Sequence, residues 1–269
     1  MSKNIVYCIY SYLENNPFAK NFLPMVRDME SWSNHKNADF KLITKIPDVI
    51  EDMYSSIENH YTKNRDVFRK QTFSKRIINS NKPSYKDKLH PITHMYKAWM
   101  TKFYVLQDFY NSEYEKMLYV DCDIYPNEEK SEFEFNMVKD TWFLISKSCP
   151  PQSKSVPKIT TEKYLNKNIQ ERFLAGCIFL TKDYRHNLSK IFNYNYIYDL
   201  WLKDSMFIRE ESILNYTIYK NELKEDILTR WKNLKCPTCG AQRKYNFRFH
   251  HIGNNTEKEK FVYNKEWKQ

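Results

Sequence analysis

The stretch Glu115-Lys116-Met117-Leu118-Tyr119-Val120-Asp121-Cys122-Asp123-Ile124-Tyr125 decides how this chain is read. Its apolar run, Met117 to Val120, leads straight into two aspartates one residue apart. The pattern predicts a strand over 115–125 that carries the carboxylates at its end. In open α/β sheets, ligands collect at the carboxyl ends of strands. Two carboxylates there can reach one divalent ion. Hard cations such as Mn²⁺ and Mg²⁺ take such oxygens together with those of a substrate phosphate. A D-x-D pair alone is equally the signature of a solvated turn, so its surroundings have to decide.

Upstream, Met95, Trp99, Phe103, Leu106 and Tyr110 recur at helical spacing and predict a helix over 91–110. A first strand is expected over 3–10 and a second over 39–44, with helices over 17–32 and 47–61. Downstream, 141–146 and 173–181 read as strands, the latter buried on both faces. Pro150, Pro151 and Pro157 punctuate a loop. Helices are expected over 183–203 and 207–220, and last extended segments over 227–231 and 245–251. Strands alternating with helices make the class α/β.

The chain has 269 residues, long enough for one large domain that needs no staples. Its longest apolar stretch, 5–13, is too short to span a bilayer. No basic leader with a small-residue cleavage site is seen, so a cytoplasmic protein is expected. The six cysteines are scattered apart from Cys236 and Cys239, and read as buried thiols rather than a disulfide framework. A net charge of +10 favours anionic partners. Only three glycines occur, so each marks a place that needs one. No glycine follows the first strand, which excludes a dinucleotide-binding turn and a Walker A loop. The abundance of Lys, Asn, Ile and Tyr points to an AT-rich genome, such as a large virus (which would place the protein in its host's cytoplasm) or a low-GC bacterium.

Taken in order, the helix, the strand and Asp121-Cys122-Asp123-Ile124-Tyr125-Pro126 resemble the GT-A class of nucleotide-sugar glycosyltransferases. The nearest likeness is to the retaining glycogenin-like and blood-group-transferase-like families. The resemblance implies a Rossmann-like α/β/α sandwich with a mixed, mostly parallel sheet. It also implies a nucleotide-binding half over 1–125 and an acceptor-binding half over 126–269. In such enzymes D-x-D holds Mn²⁺ against the donor diphosphate, which makes Asp121 and Asp123 metal ligands. Met100-Thr101-Lys102-Phe103 resembles the helix whose lysine contacts the donor, with Lys97 as a second candidate.

Leu174-Ala175-Gly176-Cys177 resembles the strand where small residues let the donor sugar approach, although the family's asparagine is missing. Glu210-Glu211-Ser212-Ile213-Leu214-Asn215 resembles both families' acidic box. One alignment puts Glu210 at the sugar centre. The other, slightly favoured because Ser212 also fits, puts Glu211 there. His250-His251-Ile252-Gly253 resembles the C-terminal H-x-x-G-x-x-K. That implies His250 as a third metal ligand, or His251 if the register slips, and Gly253 at the diphosphate. The lysine position holds Thr256, so Lys258 or Lys260 would stand in for it. Tyr10, Ser11 and Tyr12 would meet the nucleoside. The implied partners are a nucleotide-sugar donor, a UDP-sugar first, and a glycan, protein or lipid acceptor.

Cys236-Pro237-Thr238-Cys239 has the shape of half a zinc site, with His250 or His251 as candidates to complete it. His250 cannot serve both metals. The segment 63–88 carries nine Lys or Arg with interleaved aromatics. A basic nucleic-acid-binding protein with a C-x-x-C zinc half-site is therefore the alternative reading. The segment reads better as a solvated face, open to peripheral contact with an acidic membrane surface. A D-x-D nuclease or phosphotransferase would need more carboxylates than the sequence offers near Asp121.

Overall fold

A computed structural model describes residues 3–10, 23–63, 94–122, 124–126, 135–136, 140–147, 156–228, 234–235, 242–243 and 249–251. The helices are α1 (Leu23–His35), α2 (Asp48–Lys63), α3 (His94–Asn111), α4 (Val156–Leu165), α5 (Leu188–Ile191), α6 (Tyr194–Lys203) and α7 (Glu210–Lys220). The strands are β1 (Asn4–Ile9), β2 (Asp39–Ile43), β3 (Lys116–Asp121), β4 (Ile124–Pro126), β5 (Trp142–Lys147), β6 (Arg172–Thr181) and β7 (Ile227–Leu228). Short strands β8 (Leu234–Lys235), β9 (Gln242–Arg243) and β10 (Phe249–His251) follow.

Six strands form one sheet in the order β2-β1-β3-β6-β5-β7. β1 pairs in parallel with β2 and β3, β7 is parallel to β5, and β6 runs against both β3 and β5. Five strands therefore point one way and β6 the other, the mixed and mostly parallel sheet expected. The sheet draws strands from both halves of the chain, so 1–125 and 126–269 share one sheet.

Alternation sorts side chains to the two faces. Ile5, Tyr7, Ile9, Met117 and Tyr119 join a core built with α2, α3, α6 and α7. Val6, Cys8, Leu118 and Val120 are buried outside that cluster. β6 changes phase midway: Phe173 and Ala175 belong to the main core, and so do Ile178 and Leu180. The switch sits at an irregularity where Leu144 pairs with Ile178 but Ile145 pairs with Leu174, leaving 175–177 unpaired on the β5 side. Gly176 lies inside this bulge, where a missing side chain eases the bend.

Several expectations are corrected. The predicted strand over 115–125 is two. β3 stops at Asp121, and β4 leaves the main sheet to pair with β10. The proline-marked loop runs into a helix: Pro157 stands in the first turn of α4, where its missing N–H costs nothing. The single helix over 183–203 is a turn followed by α5 and α6. Asn187 accepts from the N–H groups of Ser189 and Lys190, and Asn193 from that of Tyr196, so each asparagine starts a new helix. The helix over 207–220 begins as a 3₁₀ turn, Ser205–Ile208, and becomes α7 only at Glu210. α1 is described from Leu23 and runs past the expected end at 32 to His35, while 17–22 lie outside the described residues. It ends on Asn37, whose φ of 53° is left-handed, while Ala38 N–H reaches back to Ser33 O at 2.9 Å. In a chain short of glycine, asparagine supplies the left-handed cap. Cys8, Cys122 and Cys177 are buried thiols outside any disulfide, as expected. Most of the basic segment 63–88 lies outside the described residues.

Asp204 links α4 to the end of α6. It accepts hydrogen bonds from Lys163 Nζ at 2.7 Å, Tyr164 OH at 2.6 Å and Met206 N–H at 2.9 Å. Burial pushes its carboxyl up, but Lys163 and these hydrogen bonds outweigh that and hold it below its ordinary 3.8. A lowered folded-state value contributes stability above the unfolded value, and that stability is lost as pH falls through the folded one. Asp204→Ala should lower unfolding stability at neutral pH by roughly 1.5–3 kcal/mol. In urea titrations the gap to wild type should narrow as pH falls below about 4.

Candidate active site

Lys102 stands midway along α3, with its side chain 6% exposed. A buried ammonium needs counter-charge, and two carboxylates supply it. Its Nζ lies 3.1 Å from Asp121 Oδ1 and 3.1 Å from Glu210 Oε1. It also sits 5.6 Å from the centre of the Tyr119 ring. Tyr119 OH donates to Asp121 Oδ1, and its position two residues before Asp121 on the same strand puts both on one face. Helix, strand end and helix N-terminus thus meet at one cation.

Charge is shared unevenly here. Burial works against the Lys102 ammonium, but Asp121, Glu210 and Glu211 outweigh it and push its pKa up. Burial also pushes the Glu210 carboxyl up. Lys102 pulls it back, while Glu211 and Asp121 push it further. Burial is the largest of these effects, and with the nearby carboxylates it outweighs Lys102, so the net shift is upward. Burial and Asp121 raise the Cys177 thiol well above its ordinary value, which suits a buried thiol.

Glu211 looks elsewhere. Consecutive residues of a helix point about 100° apart, and Glu211 is paired with Arg172 of β6. Asn215, one turn on, acts as a clip. Its Oδ1 accepts from Phe173 N–H at 2.8 Å, and its Nδ2 donates to Phe173 O at 2.8 Å and to Glu211 O at 2.7 Å. The amide stands in for a neighbouring strand and locks the first turn of α7 to the start of β6.

Among the other expected residues, Tyr10 follows β1, and its N–H bonds Ile43 O at 2.8 Å. Ile9 is in register with Asp121, so Tyr10 stands beside the end of β3. Ala175 is buried, and Gly176 falls one step beyond the Val120–Cys177 pair, level with Asp121. Lys97 does not join the cluster; it pairs with Glu51 of α2 at 2.5 Å. The β10 backbone places His250 opposite Tyr125 and His251 opposite Ile124, beside the strand that follows Asp123. Ser11, Tyr12, Asp123, Cys236, Cys239, Gly253, Thr256, Lys258 and Lys260 lie outside the described residues, as do the side chains of both histidines. Among the described residues no three His, Cys, Asp or Glu side chains gather to hold a metal.

Sequence reading missed Tyr119, Arg172 and the clip made by Asn215. Strand periodicity alone could have found Tyr119. No spacing rule couples Arg172 to Glu211, since they come from different elements 39 residues apart.

The architecture has parallels among solved proteins. A glycosyltransferase involved in glycosylating the major capsid of PBCV-1 matches at a TM-score of 0.51 and 10% identity, over 97% of this chain and 98% of that one. This chain has the GT-A fold. Mouse xyloside xylosyltransferase 1 aligns at 0.49 and 9% identity, over 94% of this chain and 99% of that one. The galactosyltransferase LgtC, solved with donor and acceptor sugar analogs, aligns at 0.48 and 11%, over 92% and 86%. No protein-family model matches the sequence, and no curated protein sequence matches it. In this GT-A fold the Lys102 cluster occupies the carboxyl end of the parallel strands, where such sheets bind ligands.

Lys102→Met should leave Asp121 and Glu210 without counter-charge and cost about 3–5 kcal/mol of stability in urea unfolding. Adding Glu210→Gln should recover part of that loss. A single variant as stable as wild type would mean that the buried pair is not ionised.

Proposed function

We propose that the protein is a metal-dependent glycosyltransferase. It would move a sugar from a UDP-sugar to an acceptor with retention of configuration at the anomeric carbon. The observation that carries the reading is the buried Lys102–Asp121–Glu210 cluster at the carboxyl end of β3 in a GT-A fold. The solved neighbours named above are glycosyltransferases, which supports sugar transfer.

The donor set suits a hard cation. Asp121 is a carboxylate at the carboxyl end of the interior strand β3, 25% exposed at its side chain, and β10 brings His250 alongside the strand after Asp123. Asp121, Asp123 and His250 would hold Mn²⁺ or Mg²⁺, which when bound supplies positive charge against the donor diphosphate. Lys102 adds the protein's own positive charge at that point. A diphosphate arriving there would share an ammonium already fixed in place, so little reorganisation is needed as charge develops on the leaving group. Tyr10, beside the end of β3, would wall the nucleoside, and the bulge at Gly176 would let the sugar approach the backbone. Glu211 or Glu210 would face the sugar centre and stabilise the positive charge that develops at C1. Residues 1–125 would serve the nucleotide and 126–269 the acceptor, with Gly253 and Lys258 at the diphosphate.

Calorimetric titration with UDP and with GDP, with Mn²⁺ and then with excess chelator, tests the donor class. The expected outcome is micromolar UDP binding that needs the metal. Asp123→Ala should abolish UDP release from UDP-sugars and leave the thermal unfolding midpoint within a few degrees of wild type. Full activity in that variant, or tight salt-sensitive binding to DNA or RNA with no nucleotide binding, would overturn the proposal.

A further inference from the structure

Glu210 and Glu211 are adjacent, and the sequence offers either one to the sugar. Their surroundings separate them. The Glu210 side chain is 7% exposed, and its Oε1 is held by the Lys102 ammonium that Asp121 also holds. Its charge is committed inside the cluster. The Glu211 side chain is 20% exposed and has its own cation, Arg172, which takes Oε2. Its Oε1 makes no hydrogen bond among the described residues. The Glu211 backbone is pinned as well, because Asn215 Nδ2 takes its carbonyl while the same amide grips Phe173 beside Arg172. Both ends of the ion pair are therefore anchored to one joint between β6 and α7.

We propose that Arg172 is a positioning residue that assigns Glu211 to the sugar centre and keeps it out of the Lys102 cluster. The inference rests on the glycosyltransferase reading above. Without Arg172, Glu211 would be drawn toward Lys102, whose ammonium its charge already favours. The ammonium that neutralises Asp121 and Glu210 would then be divided further. With Arg172 in place, Oε2 is tied to the guanidinium and Oε1 is left for the sugar. That leaves one carboxylate for the diphosphate side of the reaction and another for the sugar. A planar guanidinium suits this task better than an ammonium, because it fixes direction as well as charge.

Donor hydrolysis gives a test that needs no known acceptor. Water oxygen bonds to C1, and the bond from C1 to the β-phosphate oxygen breaks, its electron pair leaving on UDP. The water's proton goes to solvent. Arg172→Gln, Arg172→Lys, Glu211→Gln and the Arg172→Gln/Glu211→Gln pair would be compared with wild type on a panel of UDP-sugars. Arg172→Gln should keep the Mn²⁺-dependent affinity for UDP within about twofold. It should lose UDP release about 100-fold, in kcat rather than KM, as expected when a reacting group is misplaced. Arg172→Lys should recover about tenfold of this. The double variant should be no slower than Glu211→Gln alone, since both changes would remove one function. Where wild type releases no UDP, the affinity of intact UDP-sugar relative to UDP reads the same contact, and Arg172→Gln should abolish the difference. Wild-type rates in Arg172→Gln, losses that add in the double variant, or an equal loss of UDP binding would overturn the role of Arg172 and leave the glycosyltransferase reading standing. A wild-type protein that binds neither UDP nor GDP would remove that reading, and this inference with it.

Discussion

The Lys102 ammonium is the group around which this protein is arranged. It is buried in the middle of a helix and is stable there only because Asp121 and Glu210 meet it. Those partners come from a strand end and a helix start, 19 and 108 residues away along the chain. The pairing therefore fixes α3 against the sheet and α7 against α3. It also leaves a concentration of opposed charge at the end of the sheet where the parallel strands present their carboxyl ends.

A second constraint works beside it. β6 runs against its neighbours, bulges at 175–177 and re-enters the sheet with its side chains in the opposite phase. That shift lets Phe173 and Ala175 face the same core as Ile178 and Leu180 while Gly176 comes level with Asp121. Asn215 then satisfies the Phe173 N–H and C=O that the irregular strand leaves open. The bulge, the clip and the first turn of α7 form one joint, and the two glutamates project from it in different directions.

Local pattern was a good guide wherever one face of an element is buried. β1, β2, α2, α3 and the start of β3 follow their periodicity closely, because apolar repeats at two or 3.6 residues have one way to reach a core. It failed where capping or pairing decides. Asn187 and Asn193 break the helix expected over 183–203 into separate helices, a choice made by side-chain oxygens rather than by hydrophobic spacing. Pro157 reads as a loop residue until the first turn of α4 shows that its absent N–H is not missed. Ile124 and Tyr125 continue the alternation of β3, yet they leave its sheet for β10, a partner more than 120 residues away that no local rule identifies.

By itself the sequence determined the α/β class, the apolar strand that runs into Asp121, the helix that carries Lys102 and the carboxylates of the E-E-S-I-L-N box. Each is written in residues close together along the chain, where periodicity and side-chain chemistry act directly. Only the tertiary structure decided that Lys102 is shared by Asp121 and Glu210. It alone separated Glu210 from Glu211 and gave the latter Arg172. Adjacent glutamates are chemically identical in a sequence. They become different when a helix turn points one into a buried cluster and the other toward a neighbouring strand, because burial and counter-charge, not residue type, set what a carboxylate can do.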